Sequence, residues 1–147
     1  MTTVHASAVL IGSKAVLIRG PSGSGKSRLA FALIEAGRTG VLPFARLVGD
    51  DRVRLAARHG RLVVQPAHEL AGLIEIRGLG IRRLAYEPAA VAGLVVDLGP
   101  PGAERLPRPE DEATTIEGVT LPRLAVATPD GALPTTLAYL RTGAAGD

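Results

Sequence analysis

The sequence predicts an α/β fold, with a central mixed β-sheet flanked by helices, and three features predict it. Two apolar, β-branched runs, residues 6–11 and 15–19, are separated by a Gly-Ser-Lys turn and are typical of a hairpin. Residues 26–36 repeat apolar side chains at helical spacing, and Gly37 follows as a typical C-cap residue. A glycine-rich stretch joins the second strand to this helix, so we expect a strand–loop–helix unit near the start of the chain.

The rest of the chain alternates short apolar runs with turn residues. The predicted strands are residues 46–49, 53–56, 61–64, 74–77, 91–98 and 120–128. A short helix or turn is predicted for residues 66–73 and a closing helix for 135–141, while four prolines exclude regular structure from 99–112. Neither an internal repeat nor a dividing linker is visible, so residues 1–147 are expected to form one domain.

The glycine-rich stretch matches G-x-x-x-x-G-K-[ST] in full. Its residues are Gly20, Pro21, Ser22, Gly23, Ser24, Gly25, Lys26 and Ser27. Its glycines let successive backbone N–H groups converge on phosphates at the positive end of the following helix. Lys26 is expected to reach the β/γ-phosphates and the Ser27 hydroxyl to bind Mg²⁺, so the motif predicts a P-loop kinase domain with ATP and Mg²⁺ as cofactors.

Composition narrows the class of partner. The chain has 147 residues, 46% of them hydrophobic, and only two Tyr and two Phe, so its core must be aliphatic. The net charge of +3 with scattered arginines, and the scarcity of aromatic platforms, predict no nucleic-acid partner. No apolar run reaches the roughly 18 residues of a membrane span. We therefore expect no membrane association and a cytoplasmic location, where ATP is plentiful.

Three further patterns are ambiguous when taken from the residues alone. Asp50 and Asp51 end a short strand and either divide the work of general base and metal partner or form a polar turn. Glu75 and Arg77 precede a glycine turn and either approach a ligand or form a surface ion pair. The lone His5 is either structural or catalytic.

Taken together, these motifs resemble one family, the catalytic domain of bacterial HPr kinase/phosphorylase. The resemblance rests on His5 fifteen residues before Gly20, the loop ending in Gly-Lys-Ser, the pair Asp50 and Asp51, and the signature Leu-Ile-Glu-Ile-Arg-Gly-Leu-Gly-Ile at residues 73–81. It covers residues 5–81 clearly, and the rest of the chain less well.

The resemblance implies roles for individual residues. Lys26 would bind the nucleotide phosphates, and Ser27 with Glu75 would serve Mg²⁺. Either Asp50 or Asp51 would take the proton of the HPr serine and return it in the reverse reaction. Three more residues match the family's active site: His5 beside the aspartates, Arg77 in the signature, and Arg105 in a segment that carries a further active-site arginine.

The chain also departs from the family pattern. It resembles short forms without the separate N-terminal domain, carries extra residues at 39–43, and has residues 82–88 in place of an expected glycine-rich stretch. These departures bear on substrate docking, oligomer geometry and phosphorolysis, and they leave the nucleotide motif intact. The family commonly forms hexamers, so the resemblance implies a homo-oligomer.

The leading functional hypothesis is an ATP-dependent protein-serine kinase that acts on the phosphocarrier protein HPr, with phosphorolysis as an additional reverse activity. The alternatives are a P-loop kinase for a small hydroxyl-bearing molecule and a non-catalytic ATP-sensing module. Because binding alone needs no base, the presence of Asp50, Asp51 and Glu75 argues against the sensing module.

Overall fold

The computed structural model describes residues 1–143, which form eleven strands and two α-helices. The strands are β1 (Thr2–Val4), β2 (Ala6–Ile11), β3 (Lys14–Arg19), β4 (Ala45–Gly49), β5 (Val53–Arg58), β6 (Arg61–Pro66), β7 (Leu73–Ile76), β8 (Gly80–Arg83), β9 (Ala90–Leu98), β10 (Ala113–Ile116) and β11 (Val119–Val126). The helices are α1 (Lys26–Arg38) and α2 (Pro129–Arg141), with short 3₁₀ turns at His68–Leu70 and Pro109–Asp111. No helix among the described residues is long and apolar enough to cross a membrane.

Nine strands form one mixed sheet, and β7 pairs with β8 in a separate hairpin. The main path of the sheet runs β1-β5-β6-β9-β3-β2-β4, and β11 joins β9 while carrying β10 on its other side. The strands β3, β9 and β11 run parallel, and all other neighbours are antiparallel. The predicted α/β fold with a central mixed sheet is therefore confirmed.

Side chains of the central strands point alternately to the two faces of the sheet and divide the core into two layers. In β3, Val16 and Ile18 pack with both helices, whereas Ala15 and Leu17 pack with the β5–β6 hairpin, which covers the other face of the sheet. The period of two in β-strands explains this division. Every buried hydrophobic side chain among the described residues is Ala, Val, Leu or Ile, as the low aromatic content predicted.

Two local predictions were wrong. Gly37 does not cap α1, because the helix continues to Arg38; instead, a Cβ at Gly37 would lie 2.6 Å from Cβ of Ala45, so glycine permits close packing there. Helix α2 begins at Pro129, six residues before the predicted start, and contains Pro134 in its interior. Strands β1, β8 and β10, of three or four residues each, were not predicted.

Candidate active site

The glycine-rich loop joins β3 to α1 and needs glycine at several positions. A Cβ at Gly20 would lie 2.5 Å from Oγ of Ser24 and 3.0 Å from the Leu98 carbonyl oxygen. Gly23 and Gly25 have φ of 80° and 100°, in the left-handed region that other residues rarely adopt. Helix α1 begins directly after Gly25, so its unpaired N–H groups point into the loop.

Lys26 is the polar side chain of the loop that fits a phosphate group. It is only 7% exposed, its Nζ donates to the carbonyl oxygens of Gly20 and Pro21 at 2.8 and 3.0 Å, and it lines a cavity. The Oγ of Ser24 is buried without a hydrogen-bond partner among the described residues, but it packs against Gly20 and not into the cavity.

Asp50 lies at the carboxyl end of β4 and is 3% exposed. Its Oδ1 accepts from Oγ of Ser7 at 2.6 Å, and its carboxylate lies 2.8 Å from Oγ of Ser27. Its Oδ2 also accepts the backbone N–H of Glu75 at 3.1 Å. Asp50 thus joins the strand β2, the start of α1 and the strand β7 at one buried carboxylate.

Asp51 is placed differently. Its φ of 68° is in the left-handed region, which Asp tolerates better than most residues, so its side chain turns away from that of Asp50. The side chain is 58% exposed, and its Oδ1 lies 2.7 Å from Nε2 of His5. The left-handed turn at Asp51 thus gives the two carboxylates different surroundings.

Two cavities meet at this corner of the molecule. The larger, of about 590 Å³, lies along the glycine-rich loop. The predicted site residues that line it are His5, Ser22, Gly23, Gly25, Lys26, Ser27, Asp51, Glu75 and Arg77. The smaller, of about 210 Å³, is lined by Asp50 and by apolar residues of β7, β8 and the 3₁₀ turn before them. Ser27, Asp51 and Glu75 line both cavities and so form their common wall.

The oxygen donors at this wall fit a hard cation. A serine hydroxyl and two carboxylates are ligands that Mg²⁺ accepts, and Mg²⁺ usually takes one or two carboxylates together with substrate phosphates. Across the described part of the chain, no group of three or more His, Cys, Asp or Glu side chains is arranged to hold a metal ion. The donor set therefore fits an ion shared with a phosphate ligand better than a closed all-protein site.

One predicted site residue lies elsewhere. Arg105 lines neither of the two cavities; it sits in the loop after β9, with its guanidinium 3.8 Å from the Asp111 carboxylate. The structure brings the other predicted residues to the loop and its cavities.

Sequence reasoning missed two polar groups near the loop. Ser7 is a fully buried polar residue inside an apolar strand, and this position was the only signal of its bond to Asp50. Asp97, at the end of β9, is bound by Arg19 at 2.7 and 2.8 Å and by Nε of Arg123 at 2.5 Å. Burial would raise the pKa of Asp97, but the hydrogen bonds and charges of the two arginines outweigh it and lower that pKa.

Comparisons with known proteins agree with this geometry. The family model described as "HPr Serine kinase C-terminal domain" matches residues 1–86. HPr kinase/phosphorylase of Streptococcus thermophilus is 46% identical over 81 residues, and that of Clostridium tetani is 38% identical over 80 residues. Each alignment covers 54% of this chain and 24% of the relative, so the chain matches about a quarter of the length of these curated relatives.

A solved structure extends the likeness over nearly the whole chain. The Hpr(Ser) kinase/phosphatase from Coxiella burnetii superposes with a TM-score of 0.76, covering 96% of this chain and 95% of that one. The two sequences are 24% identical, so this likeness shows the fold. Residues 87–143, which the family model does not match, thus belong to the same architecture.

Proposed function

The chain belongs to the family of HPr serine kinase C-terminal domains, and from that premise we propose that it is an ATP-dependent protein-serine kinase whose substrate is HPr. The observation that carries the proposal is the common wall of the two cavities, where Ser27, Asp51 and Glu75 face both the glycine-rich loop and a second, partly apolar space. Such a wall lets a phosphate donor and a hydroxyl acceptor meet from opposite sides.

The larger cavity would take ATP. The N–H groups at the start of α1 and the Lys26 ammonium would hold the phosphates. Ser27 and Glu75 would hold Mg²⁺, which when bound neutralises charge that develops on the phosphate oxygens. The Ser27 hydroxyl donates its hydrogen bond to Asp50, which leaves the lone pairs of the Ser27 oxygen free to bind the ion.

Of the two aspartates, we assign the general base to Asp51. Both oxygens of Asp50 already accept hydrogen bonds inside the protein, whereas Oδ2 of Asp51 accepts none from the described residues. Asp51 is also exposed to both cavities, and His5 holds its other oxygen in place. The acceptor serine would give its proton to Asp51 as its oxygen bonds to the γ-phosphorus and the bond to the leaving ADP breaks.

The reverse reaction would use the same groups. In phosphorolysis, an oxygen of inorganic phosphate would bond to the phosphorus of phosphoserine and give pyrophosphate, while the bond from phosphorus to the serine oxygen breaks and protonated Asp51 gives its proton to that oxygen. The smaller cavity would receive the serine-bearing segment, and its lining of Leu70, Leu73, Ile74 and Ile81 would favour apolar side chains in that segment. The names of the curated relatives, HPr kinase/phosphorylase, support both directions and the choice of HPr.

The same family membership supports a cytoplasmic homo-oligomer, with a hexamer as the expected size, and no nucleic-acid or membrane partner. Light scattering of the purified protein at several concentrations would measure the assembly. A mass of one chain at all concentrations would contradict the oligomer.

The decisive experiment incubates the protein with γ-labelled ATP, Mg²⁺ and purified HPr. We expect label on an HPr serine and a loss of at least roughly 10²-fold in rate for Lys26→Ala, which removes a charge from the transferring phosphates. Label on a small metabolite from a cell extract, with none on HPr, would indicate a small-molecule kinase. Nucleotide binding without any transfer would indicate an ATP-sensing module.

A further inference from the structure

The larger cavity is not lined by the glycine-rich loop and polar residues alone. Its lining also includes three apolar residues, Phe31, Ile76 and Pro129, and two arginines, Arg28 and Arg77. We propose that the part of this cavity at Phe31 is a nucleobase subsite in which the purine ring of ATP stacks on the Phe31 side chain. The proposal rests on the proposed function, because it takes the glycine-rich loop as the phosphate site.

Helix geometry places Phe31 at a distance from the phosphate site that a nucleotide can span. Phe31 follows Ser27 by four residues in α1, so both side chains lie on one helix face, about one turn or roughly 6 Å apart along the axis. A nucleotide bound with its phosphates at the start of α1 would thus extend along this face. Its ribose would lie beside Arg28, and its base would reach the Phe31 ring.

An aromatic ring at this position is not explained by core packing alone. The chain has four aromatic residues in all, and every fully buried hydrophobic side chain described is aliphatic. Phe31 is half-buried: it packs against the helix-side core and also lines the cavity. A flat apolar ring at the wall of a polar cavity is the surface on which a nucleobase stacks.

The neighbouring residues leave this surface accessible. The ion pair between Arg28 and Asp130 is long, at 3.4 Å, and both side chains are largely exposed, so it holds Arg28 weakly.

Pro129, at the start of α2, approaches the loop closely, since a Cβ at Gly25 would lie 3.6 Å from the Cβ of Pro129. The start of α2 therefore places an apolar ring that lacks an N–H group beside the start of α1, at the wall of the same cavity.

The test separates base binding from phosphate binding. Calorimetry with Mg²⁺-ATP and with Mg²⁺-tripolyphosphate would be run on the full chain and on Phe31→Leu, which keeps apolar volume in the core but removes the flat ring. We expect Phe31→Leu to weaken ATP binding by about 5- to 150-fold, the measured worth of one base–aromatic stack. Affinity for tripolyphosphate should change less than twofold, and Phe31→Tyr should restore ATP affinity.

Each other outcome is decisive. Equal ATP affinity in wild type and Phe31→Leu would overturn the subsite, and so would an equal loss for ATP and tripolyphosphate, which would make Phe31 a support for the loop. A different measurement, on Lys26→Ala, tests the proposed function. If Lys26→Ala binds tripolyphosphate as well as the wild type does, the loop is not the phosphate site, and the subsite that depends on it falls as well.

Discussion

Two carboxylates near the glycine-rich loop lie at the ends of different strands, β9 and β4, and have opposite surroundings. Asp97, at the end of β9, is buried and bound by two arginines, so its charge is fully compensated. Asp51, after β4, is exposed to two cavities, and its side chain has one partner among the described residues, His5. An aspartate carboxylate thus holds strands together at Asp97 and stays available as an acceptor at Asp51. The bonding partners of each carboxylate determine this difference.

The largest expected effect separates Asp51 from its neighbour. Asp51→Asn should lower the rate of HPr phosphorylation by roughly 10²- to 10⁴-fold, the usual worth of a general base, while ATP affinity stays near that of the wild type. Asn suits the left-handed backbone at this position, so the fold should be preserved. Single-turnover transfer and calorimetric ATP binding measure the two quantities independently.

Asp50→Asn is the matched control for that change. It places an amide donor beside the hydroxyls and the Glu75 N–H that now donate to Asp50, so Mg²⁺-ATP binding should weaken along with the rate. If instead Asp50→Asn loses rate with normal ATP affinity and Asp51→Asn weakens Mg²⁺-ATP binding, the base is Asp50. Wild-type rates in both would leave the proposed kinase mechanism without a base.

Substitution of Asp97 should lower the free energy of unfolding. Asp97→Asn leaves the Arg19 and Arg123 charges partly buried and uncompensated, which should cost about 3 kcal/mol of unfolding free energy. Asp130→Asn makes the same chemical change in an exposed pair and should cost less than about 0.5 kcal/mol. Urea unfolding at pH 7 measures both. A loss at Asp97 as small as that at Asp130 would show that the arginines do not depend on it.

This contrast also shows how much the sequence could predict. The glycine-rich loop, the strand before it, the helix after it and the Asp50–Asp51 strand end follow local rules, and each was predicted within a few residues. Local rules also gave both hairpins, β2–β3 and β5–β6, because turn residues separate their apolar runs. These features depend on neighbours in the chain, which a single sequence displays.

The missed features depend on residues far apart in the chain. Arg19, Asp97 and Arg123 meet only because β3, β9 and β11 lie side by side, and strand order cannot be obtained from periodicity. Gly37 was predicted to cap the helix. The contact that requires glycine there is with Ala45, on the next strand, and the local sequence does not show it. The distinction between Asp50 and Asp51 likewise requires Ser7, 43 residues before Asp50.

A smaller effect tests the wall between the cavities. Glu75→Gln keeps side-chain size and removes charge, so it should raise the Mg²⁺ concentration needed for ATP binding by at least roughly tenfold, with little effect on unfolding. Calorimetric ATP titrations at stepped Mg²⁺ concentrations give this value without relying on turnover. Glu69→Gln, an exposed site outside both cavities, is the control. An unchanged Mg²⁺ requirement would remove Glu75 from the metal site.

The smallest expected effect is the pH dependence of the Asp97 anchor. The two arginines outweigh the effect of burial and hold the pKa of Asp97 in the folded protein below its ordinary value of about 3.9. The unfolded chain therefore takes up this proton first as pH falls, so the stabilisation is complete above the ordinary pKa and is lost as pH drops through the folded-state pKa. The difference in unfolding free energy between wild type and Asp97→Asn should be constant from pH 7 to pH 5 and should shrink toward pH 3. Urea midpoints across this range give the difference directly, and Asp130→Asn should show no comparable trend. A difference that widens on acidification would mean that burial, not the arginines, controls the Asp97 carboxyl, and the two aspartates would then not be opposite cases.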